Sequence, residues 1–303
     1  MSIFSPTQII DAICEVYLGP RQAVEFCVAA LLARGHLLLE DVPGVGKTTL
    51  ARQLAQKLGL SWARIQCTPD LLPSDVVGFS LPLAGDYTFR PGPIFANLVL
   101  VDEINRAAPR TQSAFLEAME ENQVTIEGQT RPLPRPFFVV ATQNPIEIAG
   151  TFPLPESQLD RFSMCLRLGY PTRAAEIKLL SQTREQTMSE TTHMDLKPLW
   201  NSVDHVMCSE PLLQYILDVG EASRKHVSLR LGLSPRALIS WKKLACALAF
   251  IRGRNYVLPE DLTDLAGPAL QHRLLPNLEH RGLVALEPAT ILQEILQSVP
   301  LPL

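Results

Sequence analysis

Residues 37–55 read LLLEDVPGVGKTTLARQLA, and this stretch restricts the possible folds more than any other. Leu37, Leu38 and Leu39 suit a strand buried on both faces, whereas Thr48 to Leu58 reads as the opening of a helix. Between them stand Pro43, Gly44, Val45 and Gly46, which neither pack well nor propagate a helix. Glycines at 44 and 46 permit backbone dihedrals closed to other residues, so successive N–H groups can turn towards one anion. Phosphate is the anion that suits such a loop. Lys47 adds a point charge for β- and γ-phosphates, Thr48 a hydroxyl for Mg²⁺, and the helix start, with Thr49, the positive end of its dipole. The general pattern G-x-x-x-x-G-K-[ST] has Gly where this chain has Asp41, so Gly46, Lys47 and Thr48 are the strict matches.

A second signal is NLVLVDEINR, residues 97–106. Leu98 to Val101 form a continuous apolar strand whose end delivers Asp102 and Glu103 side by side. In an open α/β sheet that edge is where ligands bind. Asp102 is placed to hold Mg²⁺ through water, and Glu103 to orient or deprotonate an attacking water. Taken alone the acid pair also suits a solvated strand end; the phosphate loop upstream makes the catalytic reading the stronger one.

The rest of the first half keeps the same rhythm. Strand-like runs at 36–40, 62–67, 97–102, 137–142 and 164–168 alternate with helix-period stretches, which predicts a mostly parallel sheet covered by helices on both faces. Two stretches break the pattern as hairpins, one turning near residues 84–86 and the other near Glu127-Gly128. Beyond Gly169-Tyr170-Pro171 the strands stop. Leu212, Ile216 and Val219 share a helical face, as do Trp241, Leu244, Ala245 and Leu248, and Pro259 and Pro288 sit where first turns begin. The expected organisation is an α/β nucleotide-binding core over 1–170 and a small all-α domain over 171–303.

The 303 residues suffice for two domains, and no run of eighteen apolar residues suggests a membrane span. The N-terminus carries Asp11 and Glu15 without a basic start, unlike a secretory signal, so a cytoplasmic setting is expected. Six cysteines lie far apart without a C-x-x-C pair and read as reduced thiols. A net charge of −4 argues against a generic polyanion binder.

The loop VPGVGKTTL, the acids of LVLVDEINRA, then VVATQNP, LPESQLDRF and LSPRA, in this order, resemble the AAA+ ATPases, and specifically their MoxR group. The resemblance spans nearly the whole chain. It implies a P-loop module with Walker A and Walker B motifs, a helical lid, Mg²⁺-dependent ATP hydrolysis and chaperone-like assembly into a ring, commonly a hexamer. Asn144, a neutral donor after FFVVAT, suits the γ-phosphate or the attacking water and matches the family's sensor 1. Arg161 in LDRF matches the arginine finger that enters a neighbouring subunit's site. Arg236 follows Ser234, a plausible N-cap, and its charge is poorly placed for the helix dipole. That mismatch makes sense for a phosphate contact, as in the family's sensor 2. Leu18 and Gly19 fall where the family contacts adenine.

By the same resemblance the hairpins are the helix-2 insert and the pre-sensor 1 insert, which tend to face a ring's pore. The first offers Asp75, Asp86 and Arg90 with Phe79, Tyr87 and Phe89; the second offers Glu127, Arg131 and Arg135. That mixture favours a protein client over nucleic acid. The family further implies a partner with a von Willebrand factor A domain. Two other readings stay open: a slowly hydrolysing nucleotide-gated assembly switch, against which Glu103 argues, and a DNA-remodelling motor, against which the low basicity argues.

Overall fold

The computed structural model describes residues 5–42, 44–83, 86–145, 150–181, 195–277 and 286–302. Two helices, α1 (Pro6–Cys14) and α2 (Arg21–Leu32), lead into β1 (His36–Glu40), then α3 (Lys47–Lys57), β2 (Trp62–Gln66) and α4 (Pro73–Val77). A hairpin of β3 (Gly78–Leu83) and β4 (Asp86–Pro91) precedes β5 (Leu98–Asp102) and α5 (Pro109–Glu121). A second hairpin, β6 (Gln123–Ile126) and β7 (Gln129–Pro132), precedes β8 (Phe138–Gln143), α6 (Glu156–Leu159), β9 (Phe162–Leu166) and α7 (Arg173–Ser181). The remainder runs α8 (Lys197–Asp204), α9 (Glu210–Lys225), β10 (Leu229–Leu231), α10 (Pro235–Ile251), α11 (Pro259–Leu270), β11 (Leu275–Pro276) and α12 (Pro288–Ser298).

The expected α/β sheet is present, with strand order β2-β5-β8-β1-β9. The pairs β2/β5, β5/β8 and β1/β8 are parallel. Leu37 to Leu39, Leu98 to Val101 and Val139 to Ala141 are buried, as strands covered on both faces must be. Register decides the functional edge: Gln66 lies opposite Asp102, Val101 opposite Ala141, and Glu40 opposite Gln143. The carboxyl ends of β1, β2, β5 and β8 therefore finish at one level.

Both predicted hairpins form. In β6/β7 the turn residues Glu127 and Gly128 have φ of 51° and 77°, the paired positive values of a primed turn that matches strand twist. Residues 84 and 85, at the expected turn of β3/β4, lie outside the described residues. At the base of that hairpin a Cβ on Gly78 would stand 2.2 Å from the Arg90 carbonyl oxygen, so only glycine lets the two strands close there. The inserts touch each other: the Arg131 guanidinium sits 3.9 Å from the centroid of the Phe89 ring.

Contacts divide the described residues into two compact units, one within 1–24, 36–154 and 166–196, the other within 25–35, 155–165 and 197–303. These units are discontinuous in sequence, unlike a single cut after residue 170. The end of α2 belongs with the helical unit because Trp200 Nε1 donates to the Leu31 carbonyl at 3.3 Å and Arg34 pairs with Asp204 at 2.6 Å. Inside that unit Trp241 is fully buried and donates to the Leu262 carbonyl at 3.0 Å. Helices α11 and α12 start at Pro259 and Pro288 as expected. Strands β10 and β11 were not expected; they pair antiparallel over two positions, too few residues to carry a period.

Candidate nucleotide-binding site

The site grows from the carboxyl edge of the sheet. After β1 the chain enters the glycine loop, where Gly44 and Gly46 adopt φ of 90° and 92°. Both lie in the left-handed region that glycine enters without steric cost, and Gly46 is the N-cap of α3. Pro43 lies outside the described residues; Val45 is buried, Thr48 half-buried and Thr49 exposed. Lys47 opens α3 and donates from Nζ to the Asp41 carbonyl at 2.6 Å. Burial lowers the Lys47 pKa, and the charges of Asp41, Asp102 and Glu103 oppose that shift. A partly desolvated ammonium facing three acids is well suited to receive phosphate.

Asp41 takes the position where the general loop pattern has glycine, and it has structural work there. Its Oδ1 accepts from the Val42 amide at 2.8 Å and its Oδ2 from the Gly169 amide at 2.7 Å. The carboxylate thus ties the start of the loop to a segment far along the chain.

The second wall is built across three strands. Asp102 is buried; its Oδ2 accepts from Arg64 Nε on β2 at 2.7 Å, and its Oδ1 from Thr142 Oγ1 on β8 at 3.1 Å. Thr142 Oγ1 also accepts from the Glu103 amide at 2.9 Å. Glu103 sits at φ 55°, ψ 52°, a left-handed conformation that costs a residue with a side chain about 1–2 kcal/mol. Such strain concentrates at functional sites. Its Oε2 accepts from Gln66 Nε2 and pairs with Arg106 Nε, both at 3.1 Å. Asn144 is buried just beyond β8. Burial, reinforced by Asp102 and Glu103, pushes the neighbouring Cys67 thiol up to about 12, so it stays neutral.

Tyr17 closes the site from the amino-terminal side. Its ring is buried, a Cβ on Gly46 would come within 3.2 Å of it, and one on Gly19 within 2.3 Å. Leu18 and Gly19 are half-buried beside it. The first unit therefore brings together Leu18, Gly19, the 44–49 loop, Asp102, Glu103 and Asn144. Arg161 and Arg236 lie in the second unit. Arg161 is half-buried just beyond Asp160, the C-cap of α6, and Arg236 is exposed in the first turn of α10. Ser234 caps α10 as expected, its Oγ accepting from the Ala237 amide at 3.0 Å.

Sequence reasoning missed Tyr17, Arg64, Gln66 and Thr142. Arg64 and Gln66 alternate along β2 and so share one face, a legible hint; which acids they meet depends on the strand placed beside them.

A model of the ATPase family associated with various cellular activities (AAA) matches residues 36–164, and an AAA lid domain model matches residues 221–295. Chaperone MoxR1 of Mycobacterium tuberculosis is 38% identical over 95% of this chain and 80% of its own length. The chain belongs to the MoxR family of AAA+ ATPases. Within the same family resemblance, the uncharacterized protein YeaC of Bacillus subtilis is 46% identical over 97% of this chain and 93% of its own. A crystal structure of a candidate ATPase from Cytophaga hutchinsonii superposes with a TM-score of 0.87 at 36% identity, covering 97% of this chain and 94% of that one. Membership in this MoxR family makes the protein an AAA+ ATPase of chaperone-like type with a nucleotide site. Among the described residues no helix is long and apolar enough to cross a membrane.

Proposed function

We propose that this MoxR protein is a ring-forming, Mg²⁺-dependent ATP hydrolase that remodels or matures a protein client. The observation that carries the reading is the loop in which Gly44 and Gly46 hold φ of 90° and 92° directly ahead of Lys47 at the start of α3. A strained acid backbone beside a glycine loop supports it.

In this reading the amides of Gly44 to Thr49 and the Lys47 ammonium bind the phosphates, with Pro43, which has no N–H, leading into the loop and Lys47 exchanging the Asp41 carbonyl for phosphate oxygens. Leu18 and Gly19, backed by the Tyr17 ring, bind the adenine end. Thr48 and Asp102 would hold Mg²⁺, which supplies charge neutralisation at the phosphates. Arg64 Nε and Thr142 Oγ1, both donating to Asp102, fix the orientation of that carboxylate at the sheet edge. Glu103 orients and deprotonates the attacking water, and Asn144 aligns it. Arg161, supplied to a neighbour's site, stabilises charge developing on the transferred phosphoryl group, and Arg236 reports nucleotide state in the lid. The corresponding division of labour is a nucleotide-binding core over 1–170 and a helical lid over 171–303, supported by the positions of the two matching family models.

A hexameric ring, a von Willebrand factor A domain partner and a cytoplasmic setting belong to the same reading. Exposed Phe79, Leu81 and Tyr87 on the first hairpin support a protein client. One observation favours a slow switch as the second reading: Glu103 Oε2 is already engaged by Gln66 and Arg106, so turnover can await a rearrangement.

The test is ATP turnover per chain as protein concentration rises, in the wild type and in Arg161→Ala. Wild-type turnover should climb with assembly, and the variant should stay about 10³-fold or more lower at concentrations where it still self-associates. Flat, negligible turnover despite tight ATP binding would favour the switch.

A further inference from the structure

Within the second unit the segment that carries Arg161 is fastened at three points. At its start Glu156 pairs with Arg230. In the middle Asp160 Oδ2 accepts from Ser234 Oγ at 3.0 Å, while Arg273 Nε lies 3.4 Å from Asp160 Oδ1. At its end the Phe162 carbonyl accepts from Arg273 Nη2 at 2.7 Å and lies 3.0 Å from His272 Nε2. Arg161 stands between the second and third fastenings. Ser234 is also the N-cap of α10, two residues before Arg236. The Arg273 side chain is almost wholly buried, an expensive place for a guanidinium unless it holds something in register. Burial pushes its pKa down to about 10; Asp160 opposes the shift and Arg236 adds to it, so the two arginines feel each other's charge.

We propose that Asp160, Ser234 and Arg273 form a latch that positions Arg161 and Arg236 as one piece. This rests on the roles given above to those two arginines. The Asp160–Ser234 hydrogen bond joins the backbone of the trans-acting arginine to the helix start that bears the nucleotide-sensing one. A phosphate drawn to Arg236 therefore moves the support of Arg161, and the arginine offered to a neighbour follows the nucleotide state of the subunit that offers it. Asp160, Ser234 and Arg273 touch no reacting atom in this scheme; they are positioning residues.

The decisive variant is Ser234→Asp in the full chain. Aspartate still caps α10, but its carboxylate repels Asp160, so the helix cap survives while the latch opens. At concentrations where the protein assembles, turnover at saturating ATP should fall at least tenfold, with ATP affinity changed less than threefold. Ser234→Thr, which keeps the hydroxyl, should restore it, and Asp160→Asn should fall between the two. Placed on Arg161→Ala, Ser234→Asp should cause no further loss, because its effect passes through Arg161. Turnover within twofold of wild type in folded Ser234→Asp and Asp160→Asn, beside an inactive Arg161→Ala, would overturn the latch and leave the function standing. A further loss in the combined variant would also overturn it, as an independent structural effect. Wild-type turnover in Arg161→Ala would remove the trans arginine itself, and the latch with it.

Discussion

At residue scale the site is a set of polar groups that satisfy one another. Thr142 is the hinge of that set, since one hydroxyl serves both Asp102 and the strained Glu103 backbone. Thr142→Val keeps the shape and removes both bonds, leaving a Glu103 amide without its acceptor. We expect a loss of about 1–3 kcal/mol in stability, read from denaturant unfolding, and a fall in kcat larger than the change in KM. Glu103→Gln isolates the chemistry: ATP binding should persist while turnover drops by about 10²–10⁴. Unchanged turnover would remove Glu103 from the mechanism. A different residue gives a pH signature. His272 is held down to about 3, chiefly by burial and then by the Arg273 charge, so it stays neutral in the fold. Unfolded, it takes up a proton near pH 6.5, and the unfolded state then binds more protons than the native one. Stability should therefore fall by about 1.4 kcal/mol per pH unit as pH drops below about 6.5, and His272→Gln should flatten that slope in paired urea melts at pH 7.5 and 5.0. Identical slopes would show that the residue does not carry the effect.

At the scale of elements, local chemistry sets where helices and turns begin, and contacts between elements set how firmly they stand. The primed turn at Glu127-Gly128 and the prolines opening α11 and α12 follow from backbone preferences, and each was legible. The lean of one hairpin on the other was not, because it depends on the Arg131 guanidinium meeting the Phe89 ring. A cation over an aromatic face is worth about 0.5–2 kcal/mol. Arg131→Gln should accordingly speed hydrogen exchange in both β4 and β7 without moving the midpoint for β5; exchange unchanged in β4 would mean that the hairpins are held independently.

At the scale of the whole molecule, sequence by itself determined the pieces that are written within a few residues: the buried strands, the glycine loop closing on Lys47, the acids at a strand end, and the Ser234 cap. Period, propensity and capping act over that range, so a single chain reveals them. Tertiary structure decided which pieces meet. Arg64 reaches Asp102 across 38 positions, Asp160 reaches Ser234 across 74, and Asp41 reaches the Gly169 amide across 128. Residues 25–35 and 155–165 cluster with the second unit for the same reason: their partners there are distant in the chain. Strand order and register bring such partners together. Those are chosen by burying the apolar faces of the whole chain at once, a condition no short stretch contains.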